Sequence, residues 1–182
     1  MPDAGFLSRI VAEVICKRLV FLPSRRHSKT MKFYLDSCCY NRPYDDQTQE
    51  KIHMEGEAIL AIISKCKQTD DEIIGSPALD LEIEQINDIE KKDKVKYFYD
   101  QTITTKTKYS TFILKRVQEL SEKTGMRTLD RFHLSFAENS DVDILLTTDA
   151  KFERAVSKLN LRLKVINPLK YLMEVMQNEH EA

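Results

Sequence analysis

The sequence predicts an α/β fold in which a mostly parallel sheet of short strands is covered by helices on both faces. Three observations support this prediction. Short apolar runs alternate along the chain with segments of helical periodicity. The runs are apolar throughout, as in strands that are buried on both faces of a parallel sheet. The length of 182 residues is that of a single domain.

The elements follow from the local sequence in chain order. Strands are expected at 32–36, 72–75, 102–104, 143–147 and 162–166, where apolar and β-branched residues cluster. A turn is expected at Asn41-Arg42-Pro43, and Ser76-Pro77 has the cap and first-turn proline that begin a helix. Apolar residues recurring every three or four positions predict helices at about 46–67, 77–88, 91–99, 110–123, 127–139, 149–159 and 168–176.

The composition excludes several classes of protein. Lys and Arg number 28 against 29 Asp and Glu, a formal net charge of −1, which excludes a protein that binds nucleic acid through bulk positive charge. The four cysteines form no C-x-x-C pair, so neither a zinc site nor a disulfide framework is expected. We expect reduced, buried thiols and a cytoplasmic protein.

The first thirty residues differ in charge from the remainder. They contain six basic and two acidic residues, hence +4, which leaves 22 basic and 27 acidic residues, hence −5, in the remainder. Apolar residues at helical spacing are interrupted by charges, so no transmembrane span or signal peptide is predicted. Residues 1–30 are either a helix that docks on the body or on a membrane surface, or an extension upstream of a natural start at Met31. We favour the extension, with a domain at 31–177, because the predicted fold needs nothing before Lys32.

Two acidic residues lie where strands are predicted to end. Asp36 closes the first strand, and Asp149 follows the strand at 143–147 and begins a helix. In open α/β sheets, ligands bind beyond the carboxyl ends of the strands, so both side chains are candidates for a site. Asp36 as a turn or cap residue and Asp149 as a helix N-cap are the ordinary alternatives.

Two more acidic residues interrupt apolar helix faces. Glu82 falls near the middle of the apolar side of the helix from Pro77, and buried Glu is uncommon unless it is paired or binds a metal. Asp130 falls within the inward arc of the helix from Arg127, although an Asp in a first helical turn is also favoured by the helix dipole. His133 lies beside Asp130, and a packed histidine is the more common interpretation of such a position.

The four acids together point to a metal. Carboxylates that lie close together repel one another and raise each other's pKa, and a divalent cation removes that repulsion. All-oxygen ligands suit Mg²⁺ or Mn²⁺. Such ions promote phosphodiester hydrolysis by activating water and stabilising charge on the phosphoryl oxygens.

The order and spacing of these residues resemble those of PIN-domain nucleases, in particular the small prokaryotic type, over about residues 31–175. Each of the four acids lies in a motif of that family. The first follows a strand and precedes Ser, and the second lies six residues after a Ser that opens a helix. The third lies in a Leu-Asp-x-x-His segment and the fourth in a Thr-x-Asp-x-x-Phe segment. The matching segments are Leu35-Asp36-Ser37, Ser76 with Glu82, Leu129-Asp130-Arg131-Phe132-His133 and Thr147-Thr148-Asp149-Ala150-Lys151-Phe152.

The resemblance implies a Rossmann-like α/β/α sandwich and a Mg²⁺- or Mn²⁺-dependent endoribonuclease. It implies metal ligands and catalytic residues at Asp36, Glu82, Asp130 and Asp149. Ser37 and Thr147 are expected to orient the carboxylates or a water. Arg42 is a candidate for the substrate phosphate, with an exposed turn residue as the alternative. The implied partners are an RNA substrate, a cognate antitoxin protein as in toxin–antitoxin pairs, and a second copy in a homodimer, with no membrane.

Two other functions fit parts of the sequence. A non-catalytic module of the same fold that binds a protein or RNA is favoured by the acidic body and the amphipathic N-terminal segment. A haloacid-dehalogenase-type phosphatase also has an Asp after its first strand. That chemistry needs a second Asp two positions later, where this chain has Cys38, so the phosphatase ranks low.

Overall fold

Five parallel strands form one sheet in the computed structural model, which describes residues 30–180. The sheet has the order β3-β2-β1-β4-β5, and each neighbouring pair is parallel. The strands are β1 (Lys32–Leu35), β2 (Glu72–Gly75), β3 (Thr105–Lys106), β4 (Ile144–Leu146) and β5 (Lys164–Ile166). The predicted α/β class with a parallel sheet is confirmed. Residues 1–30 were predicted to be either a docking helix or an upstream extension, and all but the last of them lie outside the described residues. The domain boundaries stay predictions.

Eight α-helices connect and cover these strands within residues 30–180. A short 3-10 turn at Arg42–Tyr44 follows the first of them. The helices are α1 (Ser37–Asn41), α2 (Glu50–Gln68), α3 (Pro77–Glu84), α4 (Ile89–Asp100), α5 (Thr111–Lys123), α6 (Thr128–Asn139), α7 (Ala150–Val156) and α8 (Pro168–His180). Among the described helices, none is both long and apolar enough to cross a membrane.

The two faces of the sheet are covered by different helices. Adjacent residues of a strand point to opposite faces. The ring of Phe33 in β1 packs edge-on against Tyr171 of α8, with 5.8 Å between centroids, while Tyr34 packs on the other face against His133 of α6. Helix α2 packs with α8, and α5 packs with α6. The result is three layers, α/β/α, with β1 buried between them.

Several predicted boundaries differ from the structure by a few residues, and for two of them the local reason is visible. Helix α3 ends at Glu84 rather than near residue 88, because Asp88 accepts a hydrogen bond from Lys91 N at 3.0 Å and caps the next helix. Strand β3 lies at Thr105–Lys106 rather than 102–104. Thr102 instead donates its hydroxyl to Phe98 O at 2.6 Å and closes α4.

The strand order places a crevice beside β1. The chain adds β2 and β3 on one side of β1 and later adds β4 and β5 on the other. The strand order therefore reverses at β1 and β4, and ligands of such sheets bind beyond the carboxyl ends of strands at that point. Asp36, Ser76 and Thr147 directly follow β1, β2 and β4, so their side chains are available there.

Candidate functional site

Asp36 is fixed in a buried position at the end of β1. Its backbone N donates to Leu146 O at 2.9 Å and so continues the pairing with β4. One carboxylate oxygen, Oδ1, accepts from Ser37 N at 2.7 Å and caps α1. The other, Oδ2, accepts from Thr147 Oγ1 at 2.8 Å and from Cys38 Sγ at 3.1 Å. With 5% of its surface exposed, Asp36 is oriented by its neighbours before any ligand binds.

Glu82 and His133 come together with Asp36 from two helices. Glu82 on α3 brings its Oε2 to 2.7 Å from Nε2 of His133 on α6, and the same nitrogen lies 3.7 Å from Oδ1 of Asp36. One ligand atom from each of the three side chains lies within 4.8 Å of the others. His133 is 1% exposed, whereas the Glu82 side chain is 24% exposed, so the cluster reaches solvent on the Glu82 side.

The far side of the imidazole contacts the hydroxyl of Tyr34, which in turn contacts the hydroxyl of Ser76. Tyr34 Oη lies 2.7 Å from His133 Nδ1 and 2.6 Å from Ser76 Oγ, and all three side chains are buried. Ser76 also caps α3, the helix that carries Glu82, by accepting from Leu79 N at 3.3 Å. The ring of His133 is therefore oriented by Tyr34 of β1, which Ser76 holds in turn. A hydrogen bond at the second ring nitrogen also fixes the orientation of metal-binding histidines.

Burial and charge act in opposite directions on these groups. Burial by itself lowers the pKa of His133, but its hydrogen bond with Glu82 and the charges of Asp36 and Glu82 outweigh burial and raise that pKa above its ordinary value. Burial likewise opposes ionisation of Glu82, but the hydrogen bond and charge of His133 leave the pKa of Glu82 below its ordinary value. Burial raises the pKa of Tyr34 well above its ordinary value, so its hydroxyl keeps its proton.

Asp130 and Asp149 form a second group that is bridged by Arg127. The guanidinium of Arg127 donates to both oxygens of Asp130, at 2.9 and 3.0 Å, and its Nη2 also donates to Asp149 Oδ2 at 2.8 Å. The other Asp149 oxygen caps α7. The two groups adjoin, because Asp130 and His133 lie three positions apart on the same side of α6. The four predicted acids thus lie at one edge of the sheet, two around His133 and two around Arg127.

Ser37 and Thr147 both touch the carboxylate of Asp36, through the Ser37 backbone N and the Thr147 hydroxyl. Their expected role toward a metal stays a prediction.

Arg42 is held by contacts within the protein. Its Nη2 donates to Thr148 Oγ1 at 2.6 Å, and its Nε forms an ion pair at 3.0 Å with the buried Glu55, without the angle of a hydrogen bond. Substrate binding by Arg42 also stays a prediction.

Sequence reasoning missed the supporting residues of this site. His133 carried a signal, since it lies one turn after Asp130 on the inward arc, but a packed histidine was the preferred interpretation. Tyr34 had none, because its ring satisfies the apolar pattern of a buried strand. Arg127 had none either, because an arginine at the start of a helix looks like an exposed residue, and its side chain is in fact 71% exposed.

No protein-family model matches the chain, and no curated protein does. Several solved structures resemble it at a distance, among them two that are covered almost completely. FitAcB from Neisseria gonorrhoeae is 13% identical, with 75% of this chain and 97% of that chain covered and a TM-score of 0.48. VapBC2 from Rickettsia felis, in a structure bound to a DNA fragment from its promoter, is 15% identical, with 75% of this chain and 98% of that chain covered and a TM-score of 0.49. Likenesses this remote carry no argument about the site, and membership of the PIN-domain family stays a prediction.

Proposed function

We propose that the protein is a divalent-metal-dependent endoribonuclease that hydrolyses phosphodiester bonds of RNA. The observation that supports the proposal is the cluster of Asp36, Glu82 and His133, whose ligand atoms converge within 4.8 Å at the carboxyl edge of a parallel sheet. Two of the three side chains are buried and held by hydrogen bonds, and the third faces solvent. A site of this form combines fixed ligands with an open side for substrate.

The donor set fits a divalent cation. Two carboxylates and an imidazole suit Mn²⁺ better than Mg²⁺, because Mg²⁺ prefers oxygen ligands and imidazole favours transition metals. Bound there, the cation supplies an activated water and stabilises charge on the phosphoryl oxygens. Tyr34 orients the imidazole and Thr147 orients the carboxylate of Asp36, so both ligands keep one geometry. Asp130 and Asp149 lie next to this set, where Arg127 holds both carboxylates, and are proposed as further ligands.

Replacing one ligand against a matched neighbour tests the proposal. Glu82→Gln is expected to abolish Mn²⁺-dependent cleavage of single-stranded RNA and to weaken Mn²⁺ binding in calorimetry, with the circular dichroism spectrum unchanged. Glu84→Gln on the same helix is the control, because its side chain is 57% exposed and lies outside the cluster, and it is expected to keep both properties. Cleavage by Glu82→Gln at the rate of the unmodified protein would refute the assignment.

Asp130→Asn tests the second pair in the same assays. Loss of cleavage with Mn²⁺ binding retained would place Asp130 with the substrate rather than with the first cation. A chain that binds no Mn²⁺ at millimolar concentration would instead be a non-catalytic module of this fold.

An antitoxin partner and a homodimer are proposed from the resemblance to PIN-domain nucleases alone. Light scattering that gives the mass of one chain, 21.2 kDa, would contradict the homodimer.

A further inference from the structure

A cavity of about 520 Å³ opens beside the second acidic pair. One wall is the segment Gly125–Arg127 together with Asp130, and the other is formed by Thr148 and the first turns of α7. The cavity therefore adjoins the candidate site, and α7 contributes to its wall. A volume of this size is in the range of ligand-binding clefts.

The cavity wall holds three cationic side chains, Arg127, Lys151 and Arg154. Arg127 is engaged by Asp130 and Asp149. Lys151 and Arg154 are exposed and lie three positions apart on α7, so they are neighbours on one side of the helix. The Nε of Arg154 donates to Ala150 O at 3.0 Å, which leaves its two terminal nitrogens available for another partner.

The cavity wall carries charges of both signs. Asp130 and Asp149 supply carboxylates, and Lys151 and Arg154 supply cationic groups on α7. A ligand in the cavity therefore lies close to both kinds of group. A cation held by the carboxylates would attract one phosphate of a nucleic-acid strand, and the adjacent phosphates would remain negative and need cationic partners.

We propose that this cavity binds a single-stranded phosphodiester backbone, with Lys151 and Arg154 contacting the phosphates next to the one that lies at the carboxylates. The biological role that we give to this cavity rests on the proposed nuclease function. Binding itself does not depend on cleavage, because the contacts are ion pairs between phosphates and side chains of this chain.

The test measures binding of the full chain to a fluorescent oligonucleotide by anisotropy between 50 and 200 mM salt. Ca²⁺ is present in place of Mn²⁺ as an oxygen-binding cation for the carboxylates, and electrophoresis after each titration verifies that the strands are intact. RNA and DNA strands of one sequence, about 12 nucleotides long, are compared. Each phosphate contact on a single strand contributes about 0.7 to the slope of log K against log salt. Lys151→Ala/Arg154→Ala is therefore expected to bind more weakly and to reduce that slope by about 1.4.

Lys108→Ala/Lys115→Ala is the matched control. It also removes two exposed cations, and neither position lines the cavity. Its affinity and slope are expected to equal those of the unmodified chain. All proteins keep residues 1–29, so any contribution of that basic segment is common to them. A reduction with both RNA and DNA supports a backbone site, and a reduction with RNA alone supports a site restricted to RNA.

Three results would overturn the inference: no binding by the unmodified chain at 50 mM salt, an unchanged slope in the cavity variant, or equal losses in both double variants. A chain that binds through Lys151 and Arg154 but fails to cleave RNA with Mn²⁺ would refute the proposed function alone. The two failures are therefore distinguishable.

Discussion

Tyr34→Phe tests whether the hydroxyl behind the imidazole supports both the fold and the metal site. The substitution keeps the aromatic ring of a fully buried residue, so it creates no large cavity. It removes the oxygen that lies 2.7 Å from His133 Nδ1 and 2.6 Å from Ser76 Oγ. Ser76 keeps its contact with Leu79 N, whereas Nδ1 of His133 loses its hydrogen bond with Tyr34.

The expected magnitude follows from that loss. Leaving a buried polar atom unpaired costs about 1–3 kcal/mol, and His133 is 1% exposed, so the free energy of unfolding is expected to fall by about 2 kcal/mol. With an m value of about 2 kcal/mol/M, the urea midpoint falls by about 1 M. Loss of a group that orients a metal-binding histidine weakens metal affinity about 10- to 100-fold, which calorimetry with Mn²⁺ measures.

Tyr40→Phe is the matched control for this prediction. Tyr40 is equally buried, but its Oη has no hydrogen-bond partner among the described residues. Removing that hydroxyl is expected to leave stability unchanged or slightly raised, because no bond is lost and one unpaired polar atom disappears. Equal urea midpoints and equal Mn²⁺ affinities for the Tyr34 and Tyr40 variants would refute the role assigned to Tyr34.

Three further predictions concern the fold. Gly75→Ala is expected to lower the free energy of unfolding by about 1–3 kcal/mol in urea titration, since the new Cβ would lie 2.5 Å from Tyr99 Oη; an unchanged midpoint would contradict it. Glu55→Ala is expected to cost about 3 kcal/mol in the same titration because it breaks a buried pair with Arg42, and a cost below 1 kcal/mol would argue against that pair. Burial raises the pKa of Cys66 to about 12, so iodoacetamide at pH 8 is expected to label this thiol only after unfolding, as read by mass spectrometry; rapid labelling of the folded protein would refute its burial.

The sheet was predictable where the strands are buried. The runs that became β1 and β4 are apolar because helices cover both faces of the sheet, and that burial produces the sequence signal. Strand β3 lacks the signal. Its two residues, Thr105 and Lys106, are both exposed at the edge of the sheet, so hydrogen bonding to β2 rather than burial defines it.

The carboxylates of the candidate site were predictable as exceptions to a pattern, and their partners were not. Asp36 ends an apolar strand and Glu82 interrupts an apolar helix face, and both features are visible in one sequence. The hydroxyl of Tyr34 is attached to a ring that fits the core, and the guanidinium of Arg127 extends from the end of a helix. Their roles depend on distances between elements 22 to 99 residues apart in the chain, which local periodicity does not report.

An acid on an apolar helix face predicts burial rather than metal binding, and two glutamates of this chain show the difference. Glu55 interrupts the apolar face of α2 much as Glu82 interrupts that of α3. The Glu55 side chain is 1% exposed and is enclosed by Arg42 and Asn167, which neutralise and hydrogen-bond it. The Glu82 side chain is 24% exposed and shares its histidine with a second carboxylate. A buried charge needs a partner in both cases. At Glu82 the partner is a group that can itself bind a metal and solvent reaches the carboxylate, so a cation can enter there, whereas the contacts of Glu55 leave no open side.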